Sequence, residues 1–389
     1  MKTLFFLAFS EIFWKNGNNL ISKIRKLVYF MEKIHQIVAH LDSENAGLAI
    51  FSDPVSINYL TGFYSDPHER HLFLFVFRDR EPLLFLPALE TAGAKNKVPF
   101  EVIGYQDSEN PWTKIADAIG QLSSNKVLAE FDSLNLTRYH GLRQAISADF
   151  ADLTPLINRM KLIKSADEVA KLMYAGSFAD KAMQIGFQAI SLEKTETDII
   201  TEIEFGMKKA GVSKMSFETM VLSADNAANP HGHPGNNLIQ NDALLLFDLG
   251  TENNGYMSDM TRTVAVGQPD QFKKDIYHLC LEAQLTAIDT IKPGVTAAEV
   301  DAAARNVIAK AGYGEYFNHR LGHGIGSSVH EFPSIMEGND LVLEPGMAFS
   351  VEPGIYIPGK VGVRIEDCGV VTETGFDLFT QTPKELLYF

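Results

Sequence analysis

Apolar residues recur at two different periods along this chain. After Met31 the positions Ile34, Ile37, Val38 and Leu41 fall on one stripe, as they do when residues three and four apart share a helix face. Short apolar runs follow at 48–51, 72–77, 82–86 and 126–131, and a helical pattern at 112–122 fills one of the gaps. Strands alternating with helices predict an α/β unit over residues 45–150. No glycine-rich phosphate loop interrupts it. Its one conspicuous polar stretch is DPHER, where Asp66, His68, Glu69 and Arg70 sit between an apolar segment and the next strand. Such a stretch is either a solvated loop or a loop that reaches a ligand from a rigid scaffold.

The pattern changes near residues 158–166. Ser165 followed three positions later by Glu168 is a capping box, which predicts a long helix over roughly 166–190 and the start of a second domain. That domain contains an internal echo. Thr195 with Asp198 opens a helix that closes at Lys209-Ala210-Gly211, and Thr296 with Glu299 opens another that closes at Lys310-Ala311-Gly312. Ile199, Ile203 and Met207 line one, as Val300, Ala304 and Ile308 line the other. Two α/β halves related by a pseudo-two-fold axis are the simplest reading. The expected division is an extension over 1–30, a first domain over 31–160 and a second over 161–389.

Charge and composition narrow the function. At 389 residues two domains are expected. A net charge of −15 without basic clusters argues against a nucleic-acid partner. No apolar run is long enough for a transmembrane helix. Cys280 and Cys368 form no disulfide framework and fit a reducing, cytoplasmic setting. The opening MKTLFFLAFSEIFW mimics a signal peptide, but Glu11 interrupts it and no small-residue cleavage site follows.

Candidate chemistry gathers in the second domain. In FDLGTENNGYMSDMTRT, Asp248 and Asp259 are symmetric about Asn253-Asn254, which predicts a hairpin with the two carboxylates facing each other, Cβ atoms about 5 Å apart. SVEPGIYIPGKVGVRIED repeats the device, with Glu352 and Glu366 symmetric about Gly359. Paired carboxylates repel unless positive charge lies between them. Arg364 shares a face with Glu366, which fits either an internal ion pair or a cavity common to both. Three histidines stand out: His323 between glycines in LGHGIG, His330 in VHE, and His231 in NPHGHP. Four carboxylates with one imidazole (Asp248, Asp259, Glu352, Glu366 and His323) make a hard, oxygen-rich site with ligands for two divalent ions. Such a donor set favours Mn²⁺, with Co²⁺ or Zn²⁺ as alternatives.

At these residues the sequence resembles the metallopeptidase family that includes methionine aminopeptidase, aminopeptidase P and prolidase, the pita-bread fold. The match runs over roughly 161–379, through FDLG…SDMTRT, GHGIG…VHE, VEPGIY and VRIED. The preceding region resembles the creatinase/prolidase N-terminal domain. The resemblance implies metal ligands at Asp248, Asp259, His323, Glu352 and Glu366, substrate-side groups at His231, His330 and Arg364, and a homodimer. It implies hydrolysis of the bond before proline in X-Pro dipeptides, with Glu352 as general base and acid. Removal of one residue from longer X-Pro peptides is the neighbouring alternative, and an inactive binding module a remote one. Residues 66–70 would then limit substrate length, from a neighbouring subunit.

Overall fold

The computed structural model of the protein describes residues 17–229 and 232–389. The chain divides into two units, Met1–Met160 and Lys161–Phe389. The signal-like opening and His231 lie outside the described residues.

In the first unit a helix spans Gly17–Ser43. It runs through Met31 without a break, so the helix begins well before the expected start. Nothing from Asn18 to Ser43 stops it, because the segment holds neither proline nor glycine. A six-stranded mixed sheet follows, in the order Glu101–Tyr105, Leu83–Pro87, Phe73–Phe77, Leu48–Phe51, Lys126–Ala129 and Asp149–Asp152. The apolar runs are continuous because both faces of the sheet are covered. Ala49, Phe51, Leu74 and Val76 meet Ile34, Ile37 and Leu41 of the long helix. Their neighbours Leu48, Ile50, Phe73 and Phe75 pack instead with Ile115, Ile119 and Leu142. The helix expected over 112–122 is Pro111–Ile119, capped by the Asn110 side chain with proline in its first turn.

The second unit opens with the helix Ala166–Ala189 and its Ser165/Glu168 capping box. The echo is present in three dimensions. Glu196–Lys209 and Ala297–Lys310 carry the Thr195/Asp198 and Thr296/Glu299 boxes. Each helix start is also stapled alike: Glu196 and Thr197 donate to the carbonyls of Asn237 and Gly235, and Ala297 and Ala298 to those of Leu341 and Asn339. The first half places its helices against the sheet Met260–Val266, Ala243–Leu249, Met220–Ser223, through a core that includes Ile199, Ile203, Leu245 and Phe247. In the second half, Gln271–Thr290 and Ala297–Lys310 pack on Ala348–Val351 and the hairpin Gly354–Ile357/Val361–Arg364, through Cys280, Val300, Phe349 and Val363. Helices therefore line the outside and strands the inside. The halves join strand to strand: Thr263 Oγ1 donates to the Arg364 carbonyl over 2.9 Å, and the Glu366 amide to that of Thr261 over 3.1 Å.

One register differs from expectation. Asp248 lies opposite Thr261, and Glu252 opposite Met257. The turn is Asn254-Gly255, whose φ values of 52° and 76° belong to a left-handed two-residue hairpin turn. Moving the turn by one residue shifts every cross-strand partner by two, so Asp259 is the diagonal neighbour of Asp248 and not its opposite. Both stay on the same face, because two residues is one full side-chain period. The second hairpin keeps the expected register, with Gly354 opposite Arg364 and Ile357 opposite Val361 about Gly359.

Candidate metal centre

Each acid sits where a strand ends or changes partner. Asp248 is on the penultimate residue of Ala243–Leu249, and Asp259 immediately precedes Met260–Val266. Glu352 follows Ala348–Val351, while Glu366 lies between Val361–Arg364 and Asp367–Val371. At both glutamates the hairpin ladder is interrupted and the backbone finds other partners: the Glu352 amide donates to the Leu321 carbonyl, and that of Glu366 to Thr261. The break turns both side chains towards Asp248 and Asp259.

Asp248, Asp259, His323, Arg364 and Glu366 are buried. Glu352 is the most open of the group, its side chain 16% exposed. Asp259, His323 and Glu366 present ligand atoms within 4.8 Å of one another. His323 Nε2 lies 3.2 Å from Glu352 Oε1 and 3.6 Å from Asp259 Oδ2. Its Nδ1 faces the Gly324 carbonyl at 3.1 Å. With a cation bound, a proton on Nδ1 would satisfy that carbonyl and leave the Nε2 lone pair free to ligate; without one, Nε2 as well can carry a proton towards the acids. The Ser350 hydroxyl accepts from the His323 amide at 3.0 Å and donates to Glu352 Oε1 at 2.9 Å.

Arg364 occupies the other side. Its Nη2 donates to Asp248 Oδ2, its Nη1 to the Tyr356 hydroxyl at 2.7 Å and its Nε to Thr261 Oγ1 at 3.0 Å. The Thr261 hydroxyl in turn donates to Glu366 Oε2 at 2.7 Å. Two buried carboxylate oxygens, Asp248 Oδ1 and Glu366 Oε1, have no donor among the described residues. Buried acceptors of this kind are normally satisfied. Oxygens left over in a cluster of four acids are what a bound cation would satisfy.

Electrostatics makes the same demand. Among protein groups alone, burial, then Asp248 and Glu352, push Asp259 well above the ordinary carboxylate range. Burial, then Asp259, Glu352 and Asp248, do the same to Glu366. Asp248 is raised as well, chiefly by burial, with Arg364 opposing. Glu352 moves the other way: burial acts to raise it, but the hydrogen bond and charge of His323, with His319 and Arg364, hold it at about 2. These acids ionise together only when positive charge shares their space.

His330 stands beside the centre, its ring edge-to-face with His323 at 4.1 Å between centroids. Desolvation, with His323 and Arg320, lowers its pKa to about 4, although the residue keeps contact with solvent. Residues 66–70 belong to the first unit and are knitted to their own surroundings. Arg70 forks onto Asp107 at 2.8 and 3.0 Å and reaches Glu69 at 3.2 Å. His68, at φ 53°, donates its amide to Asp66.

Thr261, Ser350, Tyr356 and His319 are site residues that sequence reasoning passed over. His319 contacts the Tyr356 hydroxyl through Nε2 at 3.3 Å. Thr261 was within reach: a turn set on Asn254-Gly255 makes it the partner of Asp248. Nothing local marks Ser350 or Tyr356, whose hydroxyls matter only because of what the fold brings near them.

A buried, carboxylate-dominated centre between two matching α/β halves defines a divalent-metal enzyme. The chain belongs to metallopeptidase family M24, which residues 170–373 match, and residues 33–163 match the creatinase/prolidase N-terminal domain. It is 51% identical over 352 residues to an Xaa-Pro dipeptidase of Lactobacillus helveticus, a span covering 89% of this chain and 96% of that one. The solved structure of an Xaa-Pro dipeptidase from Bacillus anthracis matches with a TM-score of 0.86 at 35% identity, over 92% of this chain and 100% of the other. A prolidase from Pyrococcus horikoshii gives 0.86 at 34% identity, again over 92% and 100%. The mixed α/β architecture is thus the one the resemblance implied.

Proposed function

We propose that this protein hydrolyses the peptide bond before proline in X-Pro dipeptides, with two divalent ions held by Asp248, Asp259, His323, Glu352 and Glu366. One observation carries the reading. Four acids and an imidazole converge in a buried space where two carboxylate oxygens have no donor among the described residues, in a chain whose relatives are named Xaa-Pro dipeptidases and prolidases. Asp259 and Glu366 each feel the charge of both Asp248 and Glu352, so the four carboxylates share one space that cations would neutralise. Oxygen donors dominate the set, so Mn²⁺ is proposed ahead of Co²⁺ or Zn²⁺.

When bound, the ions supply Lewis acidity that makes hydroxide available near neutrality and polarises the scissile carbonyl. The remaining steps fall to the protein. Glu352, the most open of the acids, takes the proton from the attacking water and passes it to the departing proline nitrogen. Water thereby adds across the C–N bond, releasing a free amino acid and proline. His330 and His231 donate to the oxygen on which charge grows. For His231, outside the described residues, this role rests on the resemblance. Arg364 braces the centre, each of its three nitrogens already donating to Asp248, Thr261 or Tyr356. The acylated proline nitrogen has no hydrogen, so recognition cannot use a donor there.

Two buried, unpaired cysteines suit a reducing cytoplasm, and among the described residues no helix is long and apolar enough to cross a membrane. A homodimer is proposed, in which Asp66, His68, Glu69 and Arg70 limit substrate length. The deciding experiment is hydrolysis of Leu-Pro against Leu-Pro-Pro with added Mn²⁺ and a chelator control. Cleavage of the dipeptide alone supports the reading, whereas preference for the tripeptide assigns an aminopeptidase. Replacing residues 66, 68, 69 and 70 by alanine tests the loop, which is uninvolved if length preference is unchanged.

A further inference from the structure

The loop 325–331 carries His330 and is tied down by a buried ion pair. Its last residue, Glu331, lies opposite Gly324 across the strands Gly322–Gly324 and Glu331–Ile335. The Glu331 carboxylate turns back into the loop: Oε1 accepts from the Ser327 hydroxyl at 2.8 Å and the Ser328 amide at 2.9 Å. Its Oε2 accepts from Lys164 Nζ at 2.8 Å. A Cβ at position 326 would stand 2.5 Å from that oxygen, so only glycine lets the carboxylate settle there. Lys164 is itself anchored, its amide donating to the Gly346 carbonyl at 2.8 Å and its Nζ to that of Lys161 at 2.6 Å. The two side chains are 3% and 5% exposed.

A pair this buried is a poor way to gain stability, because desolvation offsets its attraction and an apolar pair of similar size commonly serves as well. What it supplies is geometry. The carboxylate holds the Ser327 hydroxyl and the Ser328 amide on one side of His330, and Glu331 is covalently adjacent to it on the other. His330 in turn holds its edge-to-face position 4.1 Å from the His323 ring.

We propose that the Lys164–Glu331 pair is a positioning element that fixes the loop presenting His330 to the metal centre. Neither residue touches substrate. The inference rests on the reading above that His330 meets the substrate during hydrolysis.

The test uses the full chain loaded with Mn²⁺ and Leu-Pro as substrate. Variants are E331Q, the charge-free pair K164M/E331Q, H330A, and H330A combined with each. The charge-free pair leaves no unpartnered buried ion, so it folds even where E331Q does not. Either E331Q or the charge-free pair lowers kcat/KM roughly tenfold to a hundredfold, the usual scale for losing a group that orients a site residue, with bound manganese unchanged. In the H330A background the same change costs less than about twofold, since two substitutions acting through one residue are not additive. An equal cost with and without His330, or no cost at all, overturns the proposal. Should the wild-type protein bind manganese yet leave Leu-Pro intact, the activity reading fails separately. The crystal structure of K164M/E331Q then decides positioning: a His330 ring displaced from its place beside His323 supports it, and an unmoved ring rejects it.

Discussion

The hydroxyl of Thr261 donates to Oε2 of Glu366 across 2.7 Å, linking residues that belong to different halves of the second unit. Thr261 Oγ1 itself accepts from Arg364 Nε, so one threonine relays between the guanidinium and the carboxylate.

Replacing Thr261 by valine keeps the shape and removes the relay. Glu366 loses a donor and Arg364 an acceptor, both buried. Metal affinity should fall roughly tenfold to a hundredfold, the cost typical of an outer hydrogen-bond partner. Calorimetric titration of the metal-free protein with Mn²⁺ reads it. Unchanged affinity in Thr261→Val would show that the relay does not set the orientation of Glu366.

Arg262 does for the backbone what Arg364 does for the side chains. It is 1% exposed and donates to the carbonyls of Thr261, Glu366, Thr382 and Pro383 and to Asp367 Oδ1. Arg262→Met leaves the buried Asp367 short of its main counter-charge, which should cost about 3–5 kcal/mol of folding free energy. Lysine should not rescue it, because a single ammonium cannot span the same fork of acceptors. Urea denaturation of the metal-loaded variants is the measurement.

Removing metal should abolish activity and alter how stability depends on pH. Asp259 and Glu366 hold protons in the metal-free folded state at pH values where the unfolded chain has released them. An acid whose folded pKa is raised destabilises the fold as pH rises from its unfolded value through its folded one. Relative to the manganese-loaded protein, the chelated protein should therefore lose stability as pH rises above about 4, the ordinary carboxylate range. Manganese at a hundred times its Kd should restore about 2.7 kcal/mol. Thermal unfolding from pH 4 to 8, with and without metal, gives both; a stabilisation by manganese that shrinks as pH rises contradicts the assignment of these acids to a cation site.

Both thiols should be silent in the native protein. Burial pushes Cys280 up to about 12, and burial with the neighbouring acids raises Cys368 well above the usual thiol value. Neither is a thiolate near neutrality, and neither is accessible. A chromogenic disulfide reagent at pH 8 should titrate no thiols until denaturant is added, and then two.

Much of this protein was legible from local pattern, because the physics behind the pattern is local. The capping boxes at Ser165, Thr195 and Thr296 need only a side chain and a backbone amide three residues on. The apolar runs of the first unit announced strands since a sheet covered on both faces needs them. The hairpin about Gly359 followed from a turn whose position is written in its residues. At Asn254-Gly255 the same argument missed by one residue, and a single-residue error in a turn moves every partner by two.

Residue types and order were enough to nominate the five candidate ligands, since clustered acids near a glycine-flanked histidine ask for a cation wherever they meet. Their meeting was a matter for the tertiary structure alone. Arg364 reaches Asp248 across more than a hundred residues, and Thr261 finds Glu366 across a comparable gap. No local rule sets such contacts, because they depend on how two duplicated halves pack strand against strand. The Lys164–Glu331 anchor belongs to the same class: a lysine before one helix and a glutamate after a distant histidine carry no mutual signal until folding buries them together.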